Sequence, residues 1–139
     1  MTASAATERA TPALSLSLPA QPVNVAVIRQ ALTGVAESLE ISAAVLADIN
    51  MAVTEACTNV ILHAYPDGAG RVEVDVFPNG RQVDVIVSDS GAGFMPRPVQ
   101  RDTSWRLGLP LIAALSDGLE VTSGPEGNGT VVRMTFDLR

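Results

Sequence analysis

Hydrophobic residues in this chain change their spacing several times, and each change marks an element. Leu14, Leu16 and Leu18 alternate with Ser15 and Ser17, the two-residue period of a short strand. Past Pro22 the period lengthens. Val25, Ile28, Leu32, Val35 and Leu39 recur every three or four residues, one apolar stripe on a helix. Ser42 is placed to cap a second helix over about 43–64, whose apolar line is Leu46, Ile49, Val53, Ala56 and Val60. Pro66-Asp67-Gly68 closes that element. The period then returns to two. Val72, Val74 and Val76 alternate with Arg71, Glu73 and Asp75, and Val83, Val85 and Val87 repeat the pattern beyond a hairpin turn at Pro78-Asn79-Gly80. Residues 95–106 show no period and hold Pro96 and Pro98, which predicts a loop. Residues 107–117 read as a short helix with Pro110 near its start, where a missing N–H is tolerated. A strand at 119–123, a glycine turn at 124–129 and a last strand presenting Thr130, Val132, Met134, Phe136 and Leu138 on one face complete the pattern.

The predicted order is therefore β-α-α-β-β-loop-α-β-β. Neighbouring hairpins imply a largely antiparallel sheet, and the striped helices must cover one face of it. The fold class is α+β, a two-layer sandwich. Residues 1–12 are rich in Ala, Ser and Thr without periodicity and read as a flexible N-terminal tail, leaving 13–139 as a single domain. A chain of 139 residues can bury one core. Only 4% of residues are aromatic, so that core is built from Val, Leu, Ile and Ala. The net charge of −6 argues against nucleic acid, or an anionic membrane surface, as the main partner. No apolar run in the sequence approaches the roughly 20 residues of a membrane span. The first residues lack the solid apolar block of a signal peptide, since Glu8 and Arg9 nearly cancel and Leu14–Leu18 alternates with serine. Cys57 is the single cysteine, which excludes an internal disulfide, so a reducing cytoplasm is the simplest location.

Polar residues interrupt this picture in four places. The second helix carries Glu55, Asn59 and His63 at four-residue spacing, one slowly drifting line away from the apolar stripe. A solvated face would serve, but such faces usually carry Lys, Glu and Arg, and Asn is a poor helix former. A short oxygen-bearing side chain suits a hard cation such as Mg²⁺, and a carboxylate one turn away can take a proton from an attacking hydroxyl. Second, "DSGAGF" (89–94) ends a strand. Its glycines let backbone approach a ligand, and Asp89 can accept a hydrogen bond from an exocyclic amine; a tight turn with an Asx cap explains it equally. Third, residues 95–106 hold Arg97, Arg101 and Arg106 against Asp102, a local excess of positive charge leading toward a helix N-terminus near Gly108. That arrangement suits a polyphosphate, or is an ordinary solvated loop. Fourth, "GNGT" (127–130) is a glycine turn before the last strand. No P-loop and no GxGxxG after the first strand is present, and one histidine is too few for a typical zinc site.

In this order, "EACTNVILHAY" (55–65), "DSGAGF", "LGLPLI" (107–112) and "GNGT" resemble the GHKL ATP-binding superfamily, and most closely its small bacterial anti-sigma-factor serine kinases. The resemblance covers about residues 14–138. It implies the Bergerat fold, a mixed, mostly antiparallel sheet with helices on one face, with ATP and Mg²⁺ held between the helices and a lid. It implies Glu55 as general base, Asn59 as Mg²⁺ ligand and Asp89 as reader of the adenine amino group. Gly91 and Gly93 would let backbone pass close to the nucleotide. Arg106, Gly108 and Leu109 would belong to the lid side of the nucleotide site, and Thr130 would support the adenine. The implied partners are a STAS-domain anti-anti-sigma factor, phosphorylated on serine, and a sigma factor; homodimers are frequent in the family. His63 and Tyr65 match the family's run, with a structural part in closing the helix. One departure stands out: the second glycine box usually begins Gly-x-Gly, whereas here it reads Arg106-Leu107-Gly108. Arg106 would either add charge at a phosphate or obstruct the lid, and the second case gives a nucleotide-gated module that sequesters its partner with little or no kinase activity.

Overall fold

The computed structural model describes residues 11–66, 69–91, 104–124 and 128–138, and the side chains of these except 104–107. The strand of alternating Leu and Ser is β1 (Leu14–Pro19). Helix α1 (Val23–Ser38) follows from Pro22 and buries Ile28, Leu32 and Ala36. It ends in a tight reversal. Ile41 N–H bonds to the Ala36 carbonyl at 2.8 Å and Glu40 N–H to that of Glu37 at 3.3 Å. This double closure needs a left-handed residue, and Glu40 takes it with φ 58° although it is not glycine. Helix α2 (Ala43–Asn59) starts as expected, with the Ser42 hydroxyl accepting from Val45 N–H at 3.2 Å. Beyond Asn59 the winding widens into a π-helical segment, Val60–Ala64.

Strands β2 (Arg71–Asn79) and β3 (Gln82–Asp89) form a hairpin. Pairing of Asn79 with Gln82 makes Gly80-Arg81 a two-residue turn, one residue later than expected, with Gly80 at φ 64°. Pro78 therefore lies inside β2. It sits beyond the last pair with β1, Leu14↔Val76, so its missing N–H breaks no ladder bond on that side. Helix α3 runs Ser104–Leu115, strand β4 Gly118–Ser123 and strand β5 Thr130–Asp137. The expected loop 95–106 is thus corrected at its end. Residues 104–106 are already helical, the helix N-terminus lies at Ser104 rather than near Gly108, and Pro110 falls inside the helix. A proline there forfeits its own backbone bond and crowds the carbonyl four residues back, a cost offset by burial of Ile112 and packing of Leu109 and Leu115 on the core. The rest of the arginine-bearing loop, with Arg97, Arg101 and Asp102, lies outside the described residues, as do residues 1–10 of the expected tail.

The strand order is β1-β2-β3-β5-β4, and each of the four pairings is antiparallel. The expected mixed sheet is corrected in this respect. β3 and β4 do run the same way, joined through α3, but β5 inserts between them and pairs antiparallel with both. The helices cover one face. α2 packs over β3 and β5, flanked by α1 near β1 and α3 near β4. Val72, Val74, Val76, Val83, Val85, Val87, Met134 and Phe136 point into this layer and are almost fully buried. The opposite face carries, among the described residues, one buried charge, Asp84, held by Arg133 and the Thr135 hydroxyl, each at 2.8 Å.

With the π-helical segment, helix α2 runs unbroken over Ala43–Ala64, 22 residues, and its most apolar 18-residue window has mean hydropathy 1.3, enough by length and composition alone to cross a bilayer. Its Ala52, Val53 and Cys57 are 0% exposed because they lie against the sheet, which is the position of a central core helix.

Candidate functional site

Glu55 and Asn59 leave α2 one turn apart and are both half-buried. They do not face open water. A β-carbon placed on Gly108 of α3 would lie 3.1 Å from Glu55 Oε2 and 3.1 Å from Asn59 Nδ2. The carboxylate and the carboxamide therefore meet beneath the backbone of α3, and the absent side chain at Gly108 is the room they occupy. A polar pair under a helix is hard to reconcile with a solvated face. The pair is covered on one side by the backbone of a glycine. His63 falls in the π-helical segment Val60–Ala64 and, like Glu55 and Asn59, is half-buried. Leu109, expected on the lid side, is partly buried and packs on the hydrophobic core. The side chain of Arg106 lies outside the described residues.

The second half of the site gathers at the end of β3. Asp89 is the last residue of that strand, paired with Val72 on one side and Thr130 on the other. Its Oδ1 accepts the Gly91 N–H at 2.8 Å, and the backbone N–H of Thr130 bonds to the same carboxylate. Burial pushes the Asp89 carboxyl above its ordinary range, and these two amide bonds offset part of that rise. A carboxylate kept from water in this way gains most from a further neutral donor. Gly91 presses against the end of α2, where a β-carbon would collide with the Ala64 carbonyl oxygen. The close approach that this glycine permits is thus to the protein's own helix. Gly129, at φ 77°, donates to the Gly91 carbonyl at 3.1 Å. Its absent side chain leaves room for the Asp89 carbonyl. Thr130 reaches the site through its backbone N–H. Gly93 lies outside the described residues.

Two contributors were missed by the sequence reading. Gly129 was visible in "GNGT" but only as a turn residue. Tyr65 was visible only as a helix-closing residue, yet its hydroxyl contacts both Arg71 and Ser90. Nothing in local periodicity points to contacts made across the fold. Cys57 behaves as expected: it is fully buried, and burial pushes its thiol up to about 12, so it stays protonated and inert.

The donor set fits an adenine nucleotide with magnesium. Among the described residues no group of three or more His, Cys, Asp or Glu is arranged to hold a metal ion. A hard cation that takes one side-chain oxygen from Asn59 and the rest from phosphates and water needs no such cage. The Asp89 end abuts Ala64, and Glu55 lies nine residues earlier on the same rod, roughly 13 Å by helical rise. The Asp89 end and the Glu55 end of the candidate site are therefore set apart along one helix.

Comparison with known proteins bears on the family and the fold. The family model of the histidine kinase-like ATPase domain matches residues 18–136. The chain is similar to a serine-protein kinase RsbW of Bacillus thuringiensis (strain Al Hakam), 27% identical over 135 residues, covering 88% of this chain and 82% of the relative. The RsbW of Bacillus cereus (strain AH820) gives the same figures. In structure it resembles the RsbU and RsbW domains of Rv1364c from Mycobacterium tuberculosis, with a TM-score of 0.71 at 23% identity over 90% of this chain. The chain spans about a third (32%) of that protein's length, and the likeness bears on the fold. The protein belongs to the histidine kinase-like ATPase domain family, within the GHKL group that its sequence motifs resemble.

Proposed function

From that family membership, we propose that residues 13–139 form a single ATP- and Mg²⁺-dependent protein-serine kinase. It acts as an anti-sigma factor, and its phosphoryl acceptor is a serine of a STAS-domain anti-anti-sigma partner. The observation that carries the reading is the meeting of Glu55 and Asn59 beneath Gly108, on the helix whose far end seats Asp89. Phosphoryl transfer asks a protein for position and charge neutralisation more than for covalent chemistry. Asp89 would accept a hydrogen bond from the adenine amino group, fixing the base. Asn59 would hold Mg²⁺, which neutralises phosphate charge when bound. Glu55 would take the proton of the acceptor serine as its Oγ bonds to the γ-phosphorus and the bond to the ADP oxygen breaks. The names of the RsbW relatives support serine as acceptor. A cytoplasmic location goes with this chemistry, since ATP and sigma factors are found there.

The rival reading, a nucleotide-gated module that sequesters its partner without phosphorylating it, is favoured by Arg106 standing where the family has glycine. Retained Glu55 favours the kinase, because a pure binder has no use for a base. Incubation of the purified protein with MgATP and the STAS-domain proteins of its own cell, read by phosphosite mass spectrometry, decides between them. A phosphoserine on a STAS domain is expected. A stable nucleotide-dependent complex without phosphate transfer would leave the sequestering module.

A further inference from the structure

Tyr65 follows directly on the π-helical segment, and its ring lies where a side chain on Gly70 would otherwise stand. Its hydroxyl makes two hydrogen bonds of opposite sense. It donates to the carbonyl of Arg71, the first residue of β2, at 2.5 Å. It accepts from the backbone N–H of Ser90 at 3.0 Å. Ser90 is the residue between Asp89 and Gly91. The next residue along, Gly91, rests on Ala64, the immediate neighbour of Tyr65, and donates to the Asp89 carboxylate. One dipeptide at the end of α2 thus grips the turn 89–91 twice, once by backbone packing and once by a phenol.

We propose that Tyr65 is a positioning residue for recognition of the nucleotide base. Its hydroxyl ties the Ser90 amide to the first residue of β2, and so holds the Asp89 carboxylate in the direction from which it meets the base. The inference rests on the reading of Asp89 as the base contact. A phenol suits the task because its O–H donates to a carbonyl while a lone pair accepts an amide, and phenylalanine of the same shape can do neither. Ser90 is exposed, so without the phenol its amide turns to water and the folded chain survives, but the turn loses its fixed direction.

Three ligands separate this role from general stabilisation: ATP, adenosine, and inorganic triphosphate, which lacks the base. Titration calorimetry with Mg²⁺ should give Tyr65→Phe a Kd for ATP and for adenosine about 3–10 times weaker than wild type, the range one neutral hydrogen bond supports. Triphosphate should bind the two proteins alike. Amide exchange of Ser90 should be slow in wild type and fast in the variant. Equal losses for ATP and triphosphate, or no loss for ATP, overturn the positioning role while leaving the ATP site intact. Unprotected exchange of the Ser90 amide in wild type overturns it without any variant. If wild type binds no ATP, the reading of Asp89 falls and the role of Tyr65 falls with it.

Discussion

The two ends of the site are built by opposite means. At the Asp89 end most of the positioning is done by backbone: amides of Gly91 and Thr130 bond the carboxylate, Gly129 bonds Gly91, and Gly91 sits on Ala64. Three chain segments interlock there, and one side chain, Tyr65, ties the Ser90 amide between them. At the Glu55 end two side chains from one helix meet the backbone of another, and the fit depends on how closely α3 lies over α2. The first end is preorganised by a sheet and a turn, which have few alternative arrangements. The second is set by the spacing of two helices, which shifts by sliding. Under the proposed function such a division would suit a kinase, with the base against the interlocked wall and the phosphates beside the contact of two helices.

The largest effect should come from the proposed base. Glu55→Gln keeps size and hydrogen-bonding reach but cannot take a proton, so serine phosphorylation should fall about 10²–10⁴-fold. The Kd for ATP, read by calorimetry, should be little changed. Normal turnover in this variant would place the base elsewhere and remove the chemical meaning of the Glu55 end.

Next in size is Asp89→Asn. Ligand at 100 times its Kd adds about 2.7 kcal/mol to stability, and the thermal shift that wild type shows with MgATP should disappear in the variant. The same substitution reports on the unliganded fold. Because the folded carboxyl titrates above its ordinary value of 3.8, the native state binds more protons than the unfolded chain between the two values. Stability contributed by this group is full below the ordinary value and is lost as pH rises through the raised one. The carboxamide of the variant does not titrate, so Tm plotted against pH should flatten relative to wild type in that acidic window. A persistent ATP shift in Asp89→Asn would break the assignment of the rigid end to the base.

The smallest effect tests the sliding end. Gly108→Ala puts a methyl 3.1 Å from both Glu55 Oε2 and Asn59 Nδ2, closer than ordinary van der Waals contact. The side chains or the helix must yield by a few tenths of an ångström. Binding of MgATP should weaken on the order of 3–10-fold, the scale of one disturbed hydrogen bond, with adenosine unaffected. That is the reverse of the pattern expected for Tyr65→Phe. Equal weakening of both ligands would show that the two ends are one mechanical unit, against the division drawn here.

Much of this molecule follows from local pattern. Period-two runs of valine and period-three-to-four stripes placed all the described strands and helices in the right order. Ser42 as a cap and Cys57 as packing also followed from residue type and spacing. Candidate chemistry was legible as well, because Asn and Glu one turn apart on an apolar helix, and Asp at a strand end before glycines, are unusual choices for solvated surface. Tertiary structure alone decided the rest. Insertion of β5 between β3 and β4 turned an expected mixed sheet antiparallel, since strand order is set by which faces must be buried together. The widening of the second helix into π-helical winding over Val60–Ala64 was not legible in residue spacing. Gly108 proved to be the roof over Glu55 and Asn59, and Tyr65 the tie on Ser90. Each of these is a contact between segments far apart in the chain. Periodicity records how a segment presents its own faces; which foreign backbone lies against a face depends on how all the segments pack at once.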